Sequence, residues 1–215
     1  FLGQIISQYF EDHGAAVVRL DLKLGHDFSN ESLVKEVMGC HKNADVLITP
    51  FALNPLPGEA SFNIFDMPLD VIENYLKVNL LALFSVCREF VVNSPTNSSI
   101  INFSSTYGVK SPKHFIYPEG FVKNIGYTMS KAGVIGMSKY LATYLAPDVR
   151  VNTIVPGGVR ADFDPEFIEN YGEMTPMKRM MEKNEILGAI HYLASDSSSY
   201  TTGSELTVDG GWGAW

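Results

Sequence analysis

SIINFSS at 99–105, YTMSKAGVIGMSKYLATYLA at 127–146 and VRVNTIV at 149–155 read as strand, helix and strand, and their order decides the fold. The two outer stretches are short, nearly continuous apolar runs, as expected of strands buried on both faces. The middle stretch carries apolar residues at helical spacing over more than five turns. The same alternation extends in both directions. Leu2, Ile5, Ile6, Tyr9 and Phe10 fall on one helix face, and Gly14 follows as a helix stop. AAVVRLDL (15–22) and DVLITPFAL (45–53) read as strands flanking a helix at 32–42. A long helix spans 68–93, with Pro68 at its first turn; a further helix covers 183–195 and a last strand 205–209. Alternating strands and helices imply right-handed crossovers and a parallel sheet covered on both sides. The expected architecture is a single α/β domain over 1–215, a doubly wound parallel sheet. Sites in such sheets lie beyond the carboxyl ends of the strands. Asp21, residues 50–54, 104–108 and 156–159 therefore deserve the closest reading.

The bulk composition narrows the partners. The net charge of −8 argues against nucleic acid or an anionic membrane as the main partner, since both need a clustered positive field. The two cysteines, Cys40 and Cys87, have no metal-ligand spacing around them and read as reduced thiols of a cytoplasmic protein, so no metal is expected. No apolar run approaches the roughly 18 residues of a membrane span, and the expected partner is a small-molecule substrate.

Tyr127 and Lys131 are four apart on the 127–146 helix and share a face. With 10 Tyr and 11 Lys in the chain, chance alone supplies roughly half of one such pair, so the pair needs context. The context is an ordered series: VNLLALF (78–84), NFSSTYG (102–108), the Tyr-xxx-Lys helix, VRVNTIVPGGV (149–159) and YTTGSELTVDGG (200–211). This series resembles the short-chain dehydrogenase/reductase family, from Phe1 to about Gly211, and implies a Rossmann-type fold.

The resemblance implies roles. Tyr127 stands where the family has its general acid/base, exchanging a proton with an alcohol or carbonyl oxygen. Lys131 would favour its phenolate, Ser105 would orient the reacting oxygen, and Asn79 would hold a water in a proton relay to Lys131. Leu2 and Gly3 match the end of the family's Gly-xxx-Gly-x-Gly turn, where a pyrophosphate meets a helix N-terminus. The first two glycines and the opening strand are absent from this sequence, so roughly a dozen further N-terminal residues are expected. Asp21 matches the carboxylate that binds the adenosine ribose hydroxyls and repels a 2′-phosphate, which favours NAD(H) over NADP(H). Asp27 and Phe28 match an adenine contact, and Pro156, Gly157 and Val159 a turn against the nicotinamide, which Tyr127 and Lys131 also approach.

The chain departs from the family pattern in several places. TPFALN (49–54) replaces the usual Asn-Asn-Ala-Gly, leaving only Ala52 of that set. A helix is missing between Asp21 and Asp27, which makes a compact sheet edge. Ala161 stands where many members have a Thr. The loop 111–126 is enlarged and must pass beside the site, because Ser105 and Tyr127 lie at its two ends; His114, Tyr117 and Lys123 are candidate substrate contacts, as is Glu119. Arg179 in TPMKRM (175–180) reads as structural.

Taken together, the expected activity is hydride transfer to or from a secondary alcohol or ketone. The VDGGWGAW ending, the compact edge and the FALN segment resemble the family's dehydrogenases of nonulosonate and flagellin-glycan sugar pathways. That implies a sugar or nucleotide-sugar substrate, with Trp212 and Trp215 closing a polar site or packing an interface. Alternatives are a 3-oxoacyl-thioester reductase, a dehydratase or epimerase, and a silent cofactor-binding scaffold. Excess apolar residues on the 68–93 helix (Tyr75, Val78, Leu80, Leu83, Phe84, Val86), and the family's habits of pairing, imply a homotetramer, with a dimer as the fallback.

Overall fold

The computed structural model describes residues 2–54 and 62–215. Its elements are α1 (Leu2–Asp12), α2 (Glu31–Cys40), β1 (Val46–Thr49), α3 (Leu69–Leu76), α4 (Ala82–Asn93), β2 (Ser98–Phe103), α5 (Thr106–Val109), α6 (Ile125–Leu145), β3 (Val149–Pro156), α7 (Pro165–Glu173), α8 (Leu187–Ala194) and β4 (Glu205–Val208). The four strands form one parallel sheet in the order β1-β2-β3-β4.

Alternation along the strands sorts the core into two layers. Ile100 and Val151 face one side with Val34, Leu83, Val86, Phe90, Val134 and Leu141 of α2, α4 and α6. Ile101 and Ile154 face the other with Ile6 of α1 and Leu187, Ile190 and Leu193 of α8. Each fully buried aliphatic side chain contributes about 1.5–3 kcal/mol, so a helix layer on both faces is what makes a sheet this apolar stable. Asn102, a buried polar residue of β2, is satisfied from three directions. It donates to Ser138 Oγ (2.9 Å) and accepts from Thr49 Oγ1 (2.9 Å) and Cys87 Sγ (3.5 Å). The hub fastens β1, α4 and α6 to the central strand.

Two expectations are corrected. Residues 15–21 are not a strand: they make no ladder hydrogen bonds among the described residues and are mostly exposed. A strand exists through its neighbour, and no described strand lies alongside this run. Second, the helix expected over 68–93 is not uniform. A π turn at Lys77–Leu81 separates α3 from α4 and has Asn79 at its centre. Such a turn lets a side chain leave the helical ridge for another partner. The compact edge after Asp21 is a single 3-10 turn at Leu22–Leu24, capped by the Asp21 carboxylate and closed by Gly25 at φ 89°. Among the described residues, no helix is long and apolar enough to cross a membrane.

Candidate active site

The site lies beyond the carboxyl ends of β1, β2 and β3, and each element delivers a particular group. β2 ends at Phe103, and Ser105 follows as the N-cap of α5, its Oγ accepting from Tyr107 N–H. Asn124 caps α6 through a hydrogen bond from Gly126 N–H (2.8 Å), which places Tyr127 in the first helical turn and Lys131 one turn later. The helix N-terminus adds a positive field that favours an anion there. Ser105 and Tyr127 share a side-chain hydrogen bond. Lys131 Nζ donates to Phe103 O at 2.7 Å and lies 6.0 Å from the centre of the Tyr127 ring. All three side chains are buried.

Burial governs their ionisation. It raises the Tyr127 pKa, which the Ser105 hydrogen bond partly opposes. It lowers Lys131 to about 8. Each group thus leans toward its neutral form, and a negative phenolate next to a positive ammonium is the pairing that relieves both.

Gly108 explains how closely these pieces fit. A Cβ there would lie 2.5 Å from Ser104 Oγ and 2.8 Å from the backbone carbonyl of Lys131. Ser104 Oγ also donates to that carbonyl, at 2.7 Å. The turn after β2 is therefore docked directly on the backbone of the Tyr-xxx-Lys helix.

Asn79 reaches the same centre from the π turn. Its amide donates to Leu53 O (2.9 Å) and Ser130 Oγ (3.1 Å) and accepts from Leu53 N–H (2.6 Å). Its side chain thus clamps the TPFALN segment beside Ala52 and ties it to α6. Gly3 sits against the same segment, where a Cβ would be 3.8 Å from Pro50. Phe28 stacks on His26 and packs on Phe51, with ring centres 6.5 and 5.6 Å apart, giving an aromatic face at the expected adenine position. Asp27 is held below its usual pKa, chiefly by hydrogen bonding with Ser29. Gly157 has no room for a side chain, because a Cβ would lie 2.9 Å from Asp209 Cα. Val159 is bridged to Met181, which fixes the backbone after Pro156.

The loop 111–126 divides. Tyr117 donates to Tyr107 Oη at 2.8 Å, and its ring stacks on Phe167 at 5.0 Å. Lys123 is buried, with Nζ 4.6 Å from the centre of the Tyr127 ring. His114 and Glu119 are exposed.

Sequence reasoning missed Tyr171 and the helix α7 that carries it. Gly158 N–H donates to Tyr171 Oη at 2.5 Å, and a Cβ at Gly158 would strike the same ring. Tyr171 stacks in turn on Trp212, with ring centres 4.2 Å apart and planes within 16°. Trp212 is buried in its own chain. Trp215 stays exposed and donates Nε1–H to Met174 O. Tyr75, Tyr107, Tyr127, Phe167, Tyr171 and Trp212 form one buried aromatic cluster.

Similar proteins identify the family. The sequence model of a family described as Enoyl-(Acyl carrier protein) reductase matches residues 3–213. D-arabinitol 2-dehydrogenase [ribulose-forming] of Candida tropicalis is 40% identical over 164 residues, which cover 70% of this chain and 55% of that protein. Post-translational flagellin modification protein A of Campylobacter coli is 33% identical over 142 residues, 64% of this chain and 56% of that one. The chain thus spans about half the length of these curated relatives. A short chain dehydrogenase from Leptospira borgpetersenii serovar Hardjo-bovis, solved with bound NAD+, superposes with a TM-score of 0.84 at 28% identity, covering 98% of this chain and 88% of that one. With its motifs in order, their geometry assembled and a family match along nearly its whole length, the chain belongs to the short-chain dehydrogenase/reductase family.

Proposed function

We propose that the protein is an NAD(H)-dependent oxidoreductase that moves a hydride to or from a secondary alcohol or ketone of a sugar or polyol, with nucleotide-linked sugars included in the range. The observation that carries this reading is the buried Ser105–Tyr127–Lys131 set at the floor of an aromatic, phenol-rich cluster.

In this reading Tyr127 takes the alcohol proton during oxidation and returns it during reduction. Ser105 hydrogen-bonds the reacting oxygen and fixes its distance from the phenol. Lys131, already directed by Phe103 O, stabilises the phenolate and reaches the nicotinamide ribose. Asn79 holds the wall after β1 and the water that links Lys131 to solvent. Leu2 and Gly3 would meet the pyrophosphate, Asp21 the adenosine ribose, Asp27, Phe28 and Ala52 the adenine side, and Pro156, Gly157 and Val159 the nicotinamide. When bound, the nicotinamide supplies or accepts the hydride. The residues present fit such a group: an aromatic face stands at the expected adenine position, and a carboxylate ends the edge segment.

The substrate class rests on two supports. Flat aromatic faces and phenol hydroxyls suit the apolar faces and hydroxyl edges of a sugar, with Tyr117 of the 111–126 loop as its contact. A polyol dehydrogenase and a flagellin modification protein are also among the similar proteins. Turnover of ketoses, polyols and nucleotide sugars should exceed that of β-ketoacyl thioesters; a clear preference for the thioester would overturn the sugar reading.

For the cofactor, NADH should bind more tightly than NADPH in calorimetry, and Asp21→Ala should erode the difference. Tighter NADPH binding by the unaltered protein would count against Asp21. A cytoplasmic homotetramer is the proposed assembly, with a dimer as the fallback. Leu69 on α3, Leu81 in the π turn, Val92 on α4, and Tyr140 and Tyr144 on α6 leave large apolar surface exposed. Light scattering at micromolar concentration should give a multiple of the chain mass, and a monomer would contradict it.

A further inference from the structure

Neither α7 nor its Tyr171 belongs to the ordered motifs of the sequence, yet the Tyr171 phenol meets two strand-end turns of the site. In the turn after β3, Gly157 N–H donates to Val208 O and Met181 N–H to Gly158 O, each at 2.9 Å and backbone to backbone. Gly158 N–H instead donates to a side chain, at Tyr171 Oη, 2.5 Å away. In the turn after β2, the Thr106 side chain hydrogen-bonds the same phenol. Thr106 is buried and directly follows Ser105. Tyr171 is itself well held. Trp212 stacks on its ring at 4.2 Å, and Thr175 Oγ1 donates to its carbonyl at 2.9 Å. Asp209 shapes the tail that carries Trp212, accepting from Gly211 N–H (2.9 Å) and Gly213 N–H (2.8 Å).

We infer that Tyr171 is a positioning residue for the cofactor: its phenol oxygen braces the turn after β3 to the turn that carries Ser105, and so sets where the nicotinamide lies relative to the reacting oxygen. The inference rests on the proposed reading that Pro156, Gly157 and Val159 face the nicotinamide. A backbone N–H in a half-buried turn is costly to leave without an acceptor, so the turn settles where the phenol reaches it. The fit is close from both sides. A Cβ at Gly158 would lie 2.5 Å from Tyr171 Cζ, so only glycine lets the amide meet the phenol, and Trp212 covers the ring behind. Burial raises the Tyr171 pKa, so it stays a neutral phenol and does not compete with Tyr127 for the substrate proton. The brace matters because a misplacement of about 1 Å can cost about 10²-fold in rate. Tyr171 acts through the turn and takes no part in proton or hydride transfer.

The test is calorimetric and needs no turnover. The full-length protein is titrated with NADH and with ADP-ribose, which has the adenosine and the pyrophosphate but no nicotinamide. Tyr171→Phe keeps the ring and its stack on Trp212 and removes only the oxygen. It should weaken NADH binding by about fivefold, the equivalent of one hydrogen bond, and leave ADP-ribose binding within about twofold of its original strength. A merely structural loss would weaken both ligands alike. Thr106→Val should weaken NADH binding in the same selective way by a smaller factor. The double variant should bind no more weakly than Tyr171→Phe alone, because both changes break one brace. Should Tyr171→Phe lose its fold, Thr106→Val carries the test by itself. Equal losses for the two ligands, an unmoved NADH affinity, or effects that multiply in the double variant would overturn the inference. The two claims separate in the unaltered protein. If it binds NADH no more tightly than ADP-ribose, the proposed nicotinamide site falls and the inference with it. Tighter NADH binding that Tyr171→Phe leaves unmoved would remove only the role of Tyr171.

Discussion

Replacing Tyr127 with Phe is expected to lower turnover by at least about a hundredfold while leaving NADH binding close to its original strength. The change removes one oxygen and nothing else from a residue that packs among Tyr75, Tyr107 and Trp212. The ring, its contacts with both lysines and the start of α6 all remain. What is lost, on the proposed reading, is the group that exchanges a proton with a substrate oxygen held by Ser105, and positioned general acid/base groups contribute about 10²–10⁴-fold. The fold should survive, since the deletion costs one hydrogen bond, to Ser105, worth about 1 kcal/mol. Fluorescence titration with NADH separates binding from chemistry. A variant that kept more than about a tenth of the original rate would mean that another group carries the proton.

The second large effect lies at Gly108 and acts through packing. Gly108→Ala should lower stability by roughly 1–3 kcal/mol, toward the upper end, because the added methyl meets the Lys131 backbone at 2.8 Å and cannot be accommodated by a side-chain rotation. In a chain of this length that corresponds to a fall in Tm of about 2–4 °C per kcal/mol. Activity should fall further than stability does, by about tenfold or more at temperatures where the variant is folded. Moving α6 relative to the turn after β2 separates Tyr127 and Lys131 from Ser105, and catalytic geometry is sensitive to displacements below 1 Å. Gly136, on the exposed side of the same helix, has open space at its Cβ position. Gly136→Ala should therefore be neutral or stabilising by up to about 1 kcal/mol, as expected for Gly to Ala in a helix. A calorimetric scan of the two variants decides the matter: if they behave alike, the close docking at Gly108 is not what holds the site.

Much of this arrangement was legible in the sequence, for reasons that differ by element. The strands at 98–103 and 149–156 announced themselves because they are covered on both faces and so are apolar without interruption. The Tyr-xxx-Lys helix could be read from its periodicity. Residues 15–21 have the same composition as a buried strand yet form none, since composition records what a segment suits and not whether a neighbour is present to pair with it. The π turn was invisible because Lys77–Leu81 has ordinary helical residues; only the bond from Asn79 to the Leu53 backbone, 26 residues away, makes the extra residue worthwhile. α7 was missed although its signal was present. Asp164 followed by Pro165 is an N-cap and first-turn pair, and Phe163, Phe167 and Tyr171 recur every four residues along one face. The position of Tyr171 over Gly158 could not have been foreseen, because it depends on how the chain after β3 folds back. The same holds for Trp212, which the sequence offered as a lid or an interface residue and which the structure buries against Tyr171.

The most direct test of the central claim is to follow the hydride itself. The full-length protein would be incubated with NADH carrying deuterium at the transferring carbon of the nicotinamide, together with each of a panel of keto sugars and nucleotide sugars, and the product analysed by mass spectrometry and NMR. The expected result is one deuterium per product molecule, bound to the new carbinol carbon, with an equal amount of NAD+ formed and with both lost in Tyr127→Phe. Product free of deuterium, or no reduction of any keto sugar or nucleotide sugar by a folded, NADH-binding protein, would contradict it.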